Sequence, residues 1–181
     1  MAKAAATPKT KAANTKAAKV KTASSSANLP APGSKAPAFN LPADDGGAVT
    51  LKGLVGKKVV LYFYPKDDTP GCTTEAIAFS ALKKKFDAAG AVVLGVSKDT
   101  VEKHCKFRDK HGLTVRLLSD EGGKMLEAYG AWGEKSLYGR KFMGITRTTF
   151  LIDGKGVVSK VWPKVKVNGH AEEVLAAVKE L

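Results

Sequence analysis

The sequence predicts an α/β protein, a three-layer sandwich with a central mixed β-sheet flanked by helices, and three observations predict it. Two apolar runs, Val59 to Tyr64 and Ala91 to Val96, are too short for helices and have the composition of buried strands. Between them Phe79, Leu82 and Phe86 recur at helical spacing, while Lys83 to Lys85 fall mostly on the wet side. Further on, Thr148–Ile152 and Val157–Trp162 read as two strands joined at the turn Asp153-Gly154-Lys155-Gly156.

With 181 residues, 44% of them hydrophobic, the chain is long enough for one globular domain with a sizeable core. No apolar stretch approaches the roughly 18 residues that cross a bilayer, so no membrane contact is expected. The net charge of +13 is unevenly placed: six lysines and no acid lie between Met1 and Leu29. That segment of Ala, Lys, Thr and Ser cannot bury enough surface to offset ordering entropy. Residues 1–32 are accordingly read as a disordered basic tail and 33–181 as the folded domain. A Pro-rich connector runs over Leu29–Pro37, and ordered structure is expected from near Ala38. Three uses of the tail stay open: solubilisation, a weak salt-sensitive contact with nucleic acid or another polyanion, and organelle targeting. The tail holds no arginine, which argues against the last.

Pro65 ends the first long strand, and after the turn Asp67–Gly71 a helix starts at about Cys72 and stops at Gly90. The strand Ala91–Val96 follows; Asp99 or Thr100 then caps a helix that runs to about His111, before Gly112. Val115–Leu118 is a short strand, Gly123–Tyr129 a short helix, and an amphipathic helix over Ala171–Leu181 comes after the hairpin. Strand–helix–strand–helix, then hairpin and helix, is the order of a thioredoxin-like sandwich.

Two cysteines do not make the disulfide framework of a small secreted domain, and the N-terminus lacks the apolar core of a secretory signal. A reducing, cytoplasmic setting is expected, where such thiols are more often catalytic or inert than structural. Cys72 falls in the first turn of a helix directly after a buried strand, where unpaired N–H groups and the helix dipole favour a thiolate. Thr69, three residues earlier, brings a hydroxyl towards the sulfur, and Pro65 and Pro70 stiffen the loop. Position alone fits a small inert buried side chain equally well.

The segment as a whole resembles the peroxiredoxin family, whose active-site loop reads P-x-x-x-T-x-x-C, matched here by Pro65, Thr69 and Cys72. The string YPKDDTPGCTTEA is similar to the peroxiredoxin Q branch, also called bacterioferritin comigratory protein. Similarity runs from about Gly33 through LLSDEGGK, WGEKSLYGRKFMGITRTTFLID and VKVNGHAEEVL. It implies a thioredoxin fold and reduction of hydrogen peroxide and organic hydroperoxides without metal or organic cofactor. Cys72 becomes the peroxidatic cysteine, Thr69 the hydroxyl that positions the peroxide, Arg147 the arginine that reaches the thiolate, and Glu75 the acid that orients Arg147. The implied reductant is thioredoxin or a similar dithiol, and the expected state is a monomer.

This sequence departs from the branch at one position. Many members carry a resolving cysteine five residues after the first, where Ile77 stands here. Cys105, on the next helix, is the natural candidate, since other members resolve from there; an external thiol is the alternative. A disulfide needs Cα atoms within about 7 Å, so an order–disorder step around residues 70–78 is expected on oxidation. Lys103, His104, Lys106 and Arg108 are basic neighbours expected to favour the Cys105 thiolate. A dithiol oxidoreductase is disfavoured, because Glu75 occupies the second place of a C-x-x-C. His104, His111 and His170 show no metal-ligand spacing and are read as structural or surface groups, and Asp67 and Asp68 as turn-forming residues.

Overall fold

Residues 28–181 are described by a computed structural model; the tail up to residue 27 lies outside them, and with it the expectations of disorder and polyanion contact. The chain runs β1 (Asn40–Pro42), β2 (Ala48–Thr50), a 3-10 turn (Lys52–Leu54), β3 (Lys58–Phe63), α1 (Pro70–Ala88), β4 (Ala91–Ser97) and α2 (Val101–His111). It continues through β5 (Arg116–Ser119), α3 (Lys124–Ala128), β6 (Trp132–Leu137), β7 (Arg140–Ile145), β8 (Thr148–Ile152), β9 (Val158–Trp162) and α4 (His170–Glu180).

The five-stranded sheet has the order β5-β4-β3-β8-β9. It is mixed: β4 runs parallel to both β3 and β5, whereas β8 is antiparallel to β3 and β9. As the central strand, β3 is buried from Val59 to Phe63, and its alternation divides the core in two. Val60 and Tyr62 face α1, α4 and Phe107 of α2. Val59, Leu61 and Phe63 face the other way, onto Leu126 of α3, Val49 of β2 and Phe39. Phe79 fixes α1 on the first face, fully buried and stacked on Tyr62 at 4.7 Å between centroids. Its truncation to alanine costs about 3–5 kcal/mol.

The helices form where their caps allow. Thr100 caps α2 by accepting the Lys103 N–H at 3.3 Å. Gly112 ends the helix at φ 61°, a left-handed conformation that lets the Leu113 N–H close back on the Arg108 carbonyl. α1 begins two residues before the expected Cys72, with Thr69 as N-cap and Pro70 in its first turn. Proline is suited to that place because its missing N–H would have had no intrahelical acceptor.

Two features depart from expectation. The connector is tied down before Ala38: the Gly33 N–H donates to the Val158 carbonyl at 2.7 Å and the Val158 N–H to the Ser34 carbonyl at 2.9 Å. These bonds occupy polar groups that the start of β9 would otherwise leave bare. In addition, β1 with β2 and β6 with β7 form two small antiparallel sheets in regions read without strands. The second turns at Tyr138 and Gly139, both at positive φ, as a two-residue hairpin turn requires.

Candidate active site

Because α1 starts at Pro70, its hydrogen-bond ladder opens with the Thr73 N–H on the Thr69 carbonyl at 2.9 Å. The N–H groups of Gly71 and Cys72 are left outside that ladder, at the positive end of the helix dipole. Cys72 is buried, at 2% exposure, and packs in the core beside Tyr64, Ala76 and Phe79. Its sulfur is therefore a polarisable group in an apolar wall, with donors arriving from one side.

Arg147 supplies the principal donor. It follows β7 across the short link into β8, and its Nη2 donates to the Cys72 sulfur at 3.3 Å. Its Nη1 forms an ion pair with Oε2 of Glu75, one helical turn beyond Cys72. One planar fork thus spans carboxylate and sulfur, a geometry that a lysine could not hold. Burial pushes the Glu75 carboxyl up to about 7, opposed by the charge and hydrogen bond of Arg147. Burial outweighs the partner because the carboxylate is almost wholly withdrawn from water.

Of the six residues singled out from the sequence, the structure brings Cys72, Glu75 and Arg147 into direct contact. Thr69 stands at the N-cap, its hydroxyl donating to the Lys66 carbonyl at 3.0 Å. Pro65 is exposed where the chain leaves β3. Cys105 is half-buried elsewhere, and its S–H donates to the Asp44 carbonyl at 3.2 Å. Both cysteines are free thiols. The basic neighbours expected to act on Cys105 are all engaged with acids. Lys103 lies 3.7 Å from Asp99, Lys106 2.5 Å from Glu102 and His104 2.7 Å from Asp67, while Arg108 pairs with Asp44 and Asp109. Each of these basic groups thus has an acid beside it.

Two further residues stand near Arg147. A Cβ on Gly71 would lie 3.2 Å from Arg147 Nη2, so the missing side chain is clearance for the guanidinium. Lys135 of β6 donates to the Ile145 carbonyl at 2.6 Å. Burial and the nearby Arg147 charge hold its ammonium below the ordinary lysine value, with Cys72 acting in the opposite sense. No local pattern in the sequence marks the clearance at Gly71, because it depends on where Arg147 arrives.

Comparison with known proteins shows the family. The AhpC/TSA family profile matches residues 32–161. A putative peroxiredoxin bcp of Coxiella burnetii is 54% identical over 143 residues, covering 79% of this chain and 95% of that protein. Peroxiredoxin Bcp of Bacillus subtilis is 48% identical over 149 residues, covering 82% and 95%. Among solved structures, the bacterioferritin comigratory protein of Xanthomonas campestris, studied for its alkyl peroxide reduction activity, matches at TM-score 0.75 and 46% identity. That match covers 78% of this chain and 90% of the other. A mutant of Xylella fastidiosa PrxQ matches at TM-score 0.79 and 38% identity, covering 83% and 96%. Structures of the Xanthomonas protein, also named peroxiredoxin Q, include serine replacements of cysteines at its positions 48 and 84. The chain belongs to the AhpC/TSA family and, within it, to the Bcp or peroxiredoxin Q group of peroxiredoxins.

Proposed function

We propose that this peroxiredoxin reduces hydrogen peroxide and organic hydroperoxides through Cys72, with Arg147 as its electrostatic partner. The observation that carries the reading is the guanidinium fork, with Nη2 3.3 Å from the Cys72 sulfur and Nη1 held by Glu75. The Cys72 thiolate attacks the nearer peroxide oxygen in line with the O–O bond. An S–O bond forms and the O–O bond breaks. The sulfur is oxidised by two electrons to a sulfenic acid, and the departing hydroxide or alkoxide takes up a proton to become water or alcohol. Arg147 and the Gly71 and Cys72 N–H groups stabilise charge as it moves onto the leaving oxygen, the work of a preorganised oxyanion site. Thr69 has its own proton committed to Lys66, so towards the substrate it offers lone pairs that accept the peroxide O–H.

Cys105 resolves the sulfenic acid in this reading: its thiolate attacks the Cys72 sulfur, a disulfide forms and hydroxide leaves. A dithiol reductant of the thioredoxin type then restores both thiols, in a reducing, cytoplasmic setting. The two Xanthomonas cysteines stand 36 positions apart, from 48 to 84, and the same count from Cys72 arrives at Arg108. Cys105 lies one helical turn earlier, and both side chains reach the Asp44 carbonyl, Arg108 at 2.7 Å and Cys105 at 3.2 Å. The two positions therefore share a face of α2.

Intact mass and peptide mapping after one equivalent of peroxide test both steps. A Cys72–Cys105 cross-link in the monomer is expected, with Cys72→Ser unreactive and Cys105→Ser stopping at the sulfenic acid. Peroxidase turnover undiminished in Cys72→Ser would overturn the assignment of the nucleophile.

A further inference from the structure

The loop before Cys72 is fastened to α2 by both of its acids. Asp67 is buried, and its Oδ1 accepts the Tyr64 hydroxyl at 2.6 Å. Its Oδ2 lies 2.7 Å from Nδ1 of His104, which is wholly buried. The other ring nitrogen, Nε2, lies 3.1 Å from the Leu118 carbonyl. The loop backbone is held as well, the Asp67 N–H donating to Asp99 Oδ2 at 2.8 Å. At the surface, Asp68 meets Lys110 at 2.6 Å and His111 at 2.7 Å, contacts that exposure makes weak.

Counting donors and acceptors fixes what the buried pair holds. A carbonyl only accepts, so Nε2 of His104 carries a hydrogen. Tyr64 has already given its hydrogen to Oδ1, so a proton must also lie between Nδ1 and Oδ2; otherwise two lone pairs would face each other at 2.7 Å. Whichever atom it rests on, that proton joins the Cys72 loop to the helix carrying Cys105, the residue next to His104.

We propose that His104 is a positioning residue for the peroxidase reaction. The proton it shares with Asp67 latches the Cys72 loop against α2, and opening that latch is part of the local rearrangement that lets a Cys72 sulfenic acid reach Cys105. The idea rests on Cys72 as the reacting sulfur. It follows from connectivity: Asp67 stands five residues before Cys72, and the two segments that must reorganise for a disulfide are the two this pair joins. A closed latch keeps the loop in the geometry that meets peroxide and prolongs the life of the sulfenic acid, leaving it open to a second peroxide and the sulfinic state. An open latch slows the first step and favours the disulfide.

The test uses the full chain in single turnover. His104→Gln keeps a donor near the Leu118 carbonyl and loses the one facing Asp67; His104→Asn does the reverse. We expect His104→Gln to slow Cys72 oxidation about tenfold, as a small misplacement of a reacting group does. It should also lower the sulfinic fraction formed in excess peroxide. His104→Asn should recover both values, and Tyr64→Phe, which leaves the ring packing intact, should move both in the same direction as His104→Gln by a smaller amount. A purely structural histidine would make the glutamine and asparagine variants equally impaired, and that result overturns the proposal. If His104→Gln does not fold, Tyr64→Phe decides: wild-type values for both rate and sulfinic fraction remove the latch. A failure of the underlying reading looks different, because wild-type Cys72 itself would then gain no oxygen.

Discussion

Cys72 lies in the first turn of α1 with a guanidinium 3.3 Å from its sulfur, whereas Cys105 lies within α2 and gives its S–H to a carbonyl. By sequence Cys105 has the more basic surroundings, with Lys103, His104, Lys106 and Arg108 within three residues. In three dimensions those side chains all lie beside acids. Arg147, by contrast, is 75 residues from Cys72, yet it divides its fork between Glu75 and the sulfur. A donor aimed at a sulfur is set by tertiary structure, and local charge density in the sequence does not report it.

The sharpest way to break this contrast is to remove one guanidinium from each thiol. Arg147→Ala is expected to lower the second-order rate of Cys72 oxidation roughly a hundred- to a thousandfold, the usual loss for one preorganised donor. Arg108→Ala should leave that rate unchanged while altering disulfide formation. Stopped-flow fluorescence of the tryptophans at substoichiometric enzyme reads the first step, and equal losses in the two variants would erase the distinction drawn between the sulfurs.

The neighbourhood of Arg147 also contains two buried groups whose proton affinities move in opposite directions. Glu75 rises from 4.5 to about 7 and His170 falls from 6.5 to about 4, in both cases chiefly through burial. Between pH 4.5 and 7 folded Glu75 keeps a proton that the unfolded chain has released, so its contribution loses stability as pH rises. Folded His170 refuses a proton that the unfolded chain takes up, so its contribution loses stability as pH falls from 6.5 to 4. The two contributions oppose each other where the windows overlap. Glu75→Gln should uncover stability that climbs from pH 4.5 to 6.5, and His170→Gln stability that declines. Urea unfolding across that range checks both signs; flat curves in both variants would refute the burial argument.

How far the sequence could be read depended on how local each feature was. β3 and β4 announced themselves as short apolar runs buried on both faces, and α1, α2, the β8–β9 hairpin and α4 by apolar patterning between clear stop residues. The strands β6 and β7 did not. From Trp132 to Leu137 no residue is fully buried, so no core face imposes an alternation on the sequence. The strands of β1 and β2 are three residues each, too short for a period to register. Within the site, Thr69 and Cys72 were legible as one segment, while Glu75 and Arg147 came only through family resemblance, their contact being tertiary. His104 was read as structural and Asp67 as a turn residue; their pairing spans 37 positions and leaves no local trace.

Gly71 gives the smallest and most discriminating effect. Its φ is not positive, so its backbone asks for no glycine; what alanine would disturb is Arg147 Nη2, 3.2 Å from the new Cβ. At that separation the guanidinium must yield by a few tenths of an ångström, turning the fork away from the sulfur without dismantling the Glu75 pair. Gly71→Ala should therefore slow peroxide reduction several-fold, about what a modest misalignment costs. Its thermal stability should hold or rise, since alanine in a helix is favoured over glycine by up to about 1 kcal/mol. No equivalent substitution exists beside Cys105, where the acceptor is a backbone carbonyl and the nearby cations are held by acids. Rate and stability falling together in Gly71→Ala would mean that the glycine serves the turn, and that clearance for Arg147 is not what its absent side chain provides.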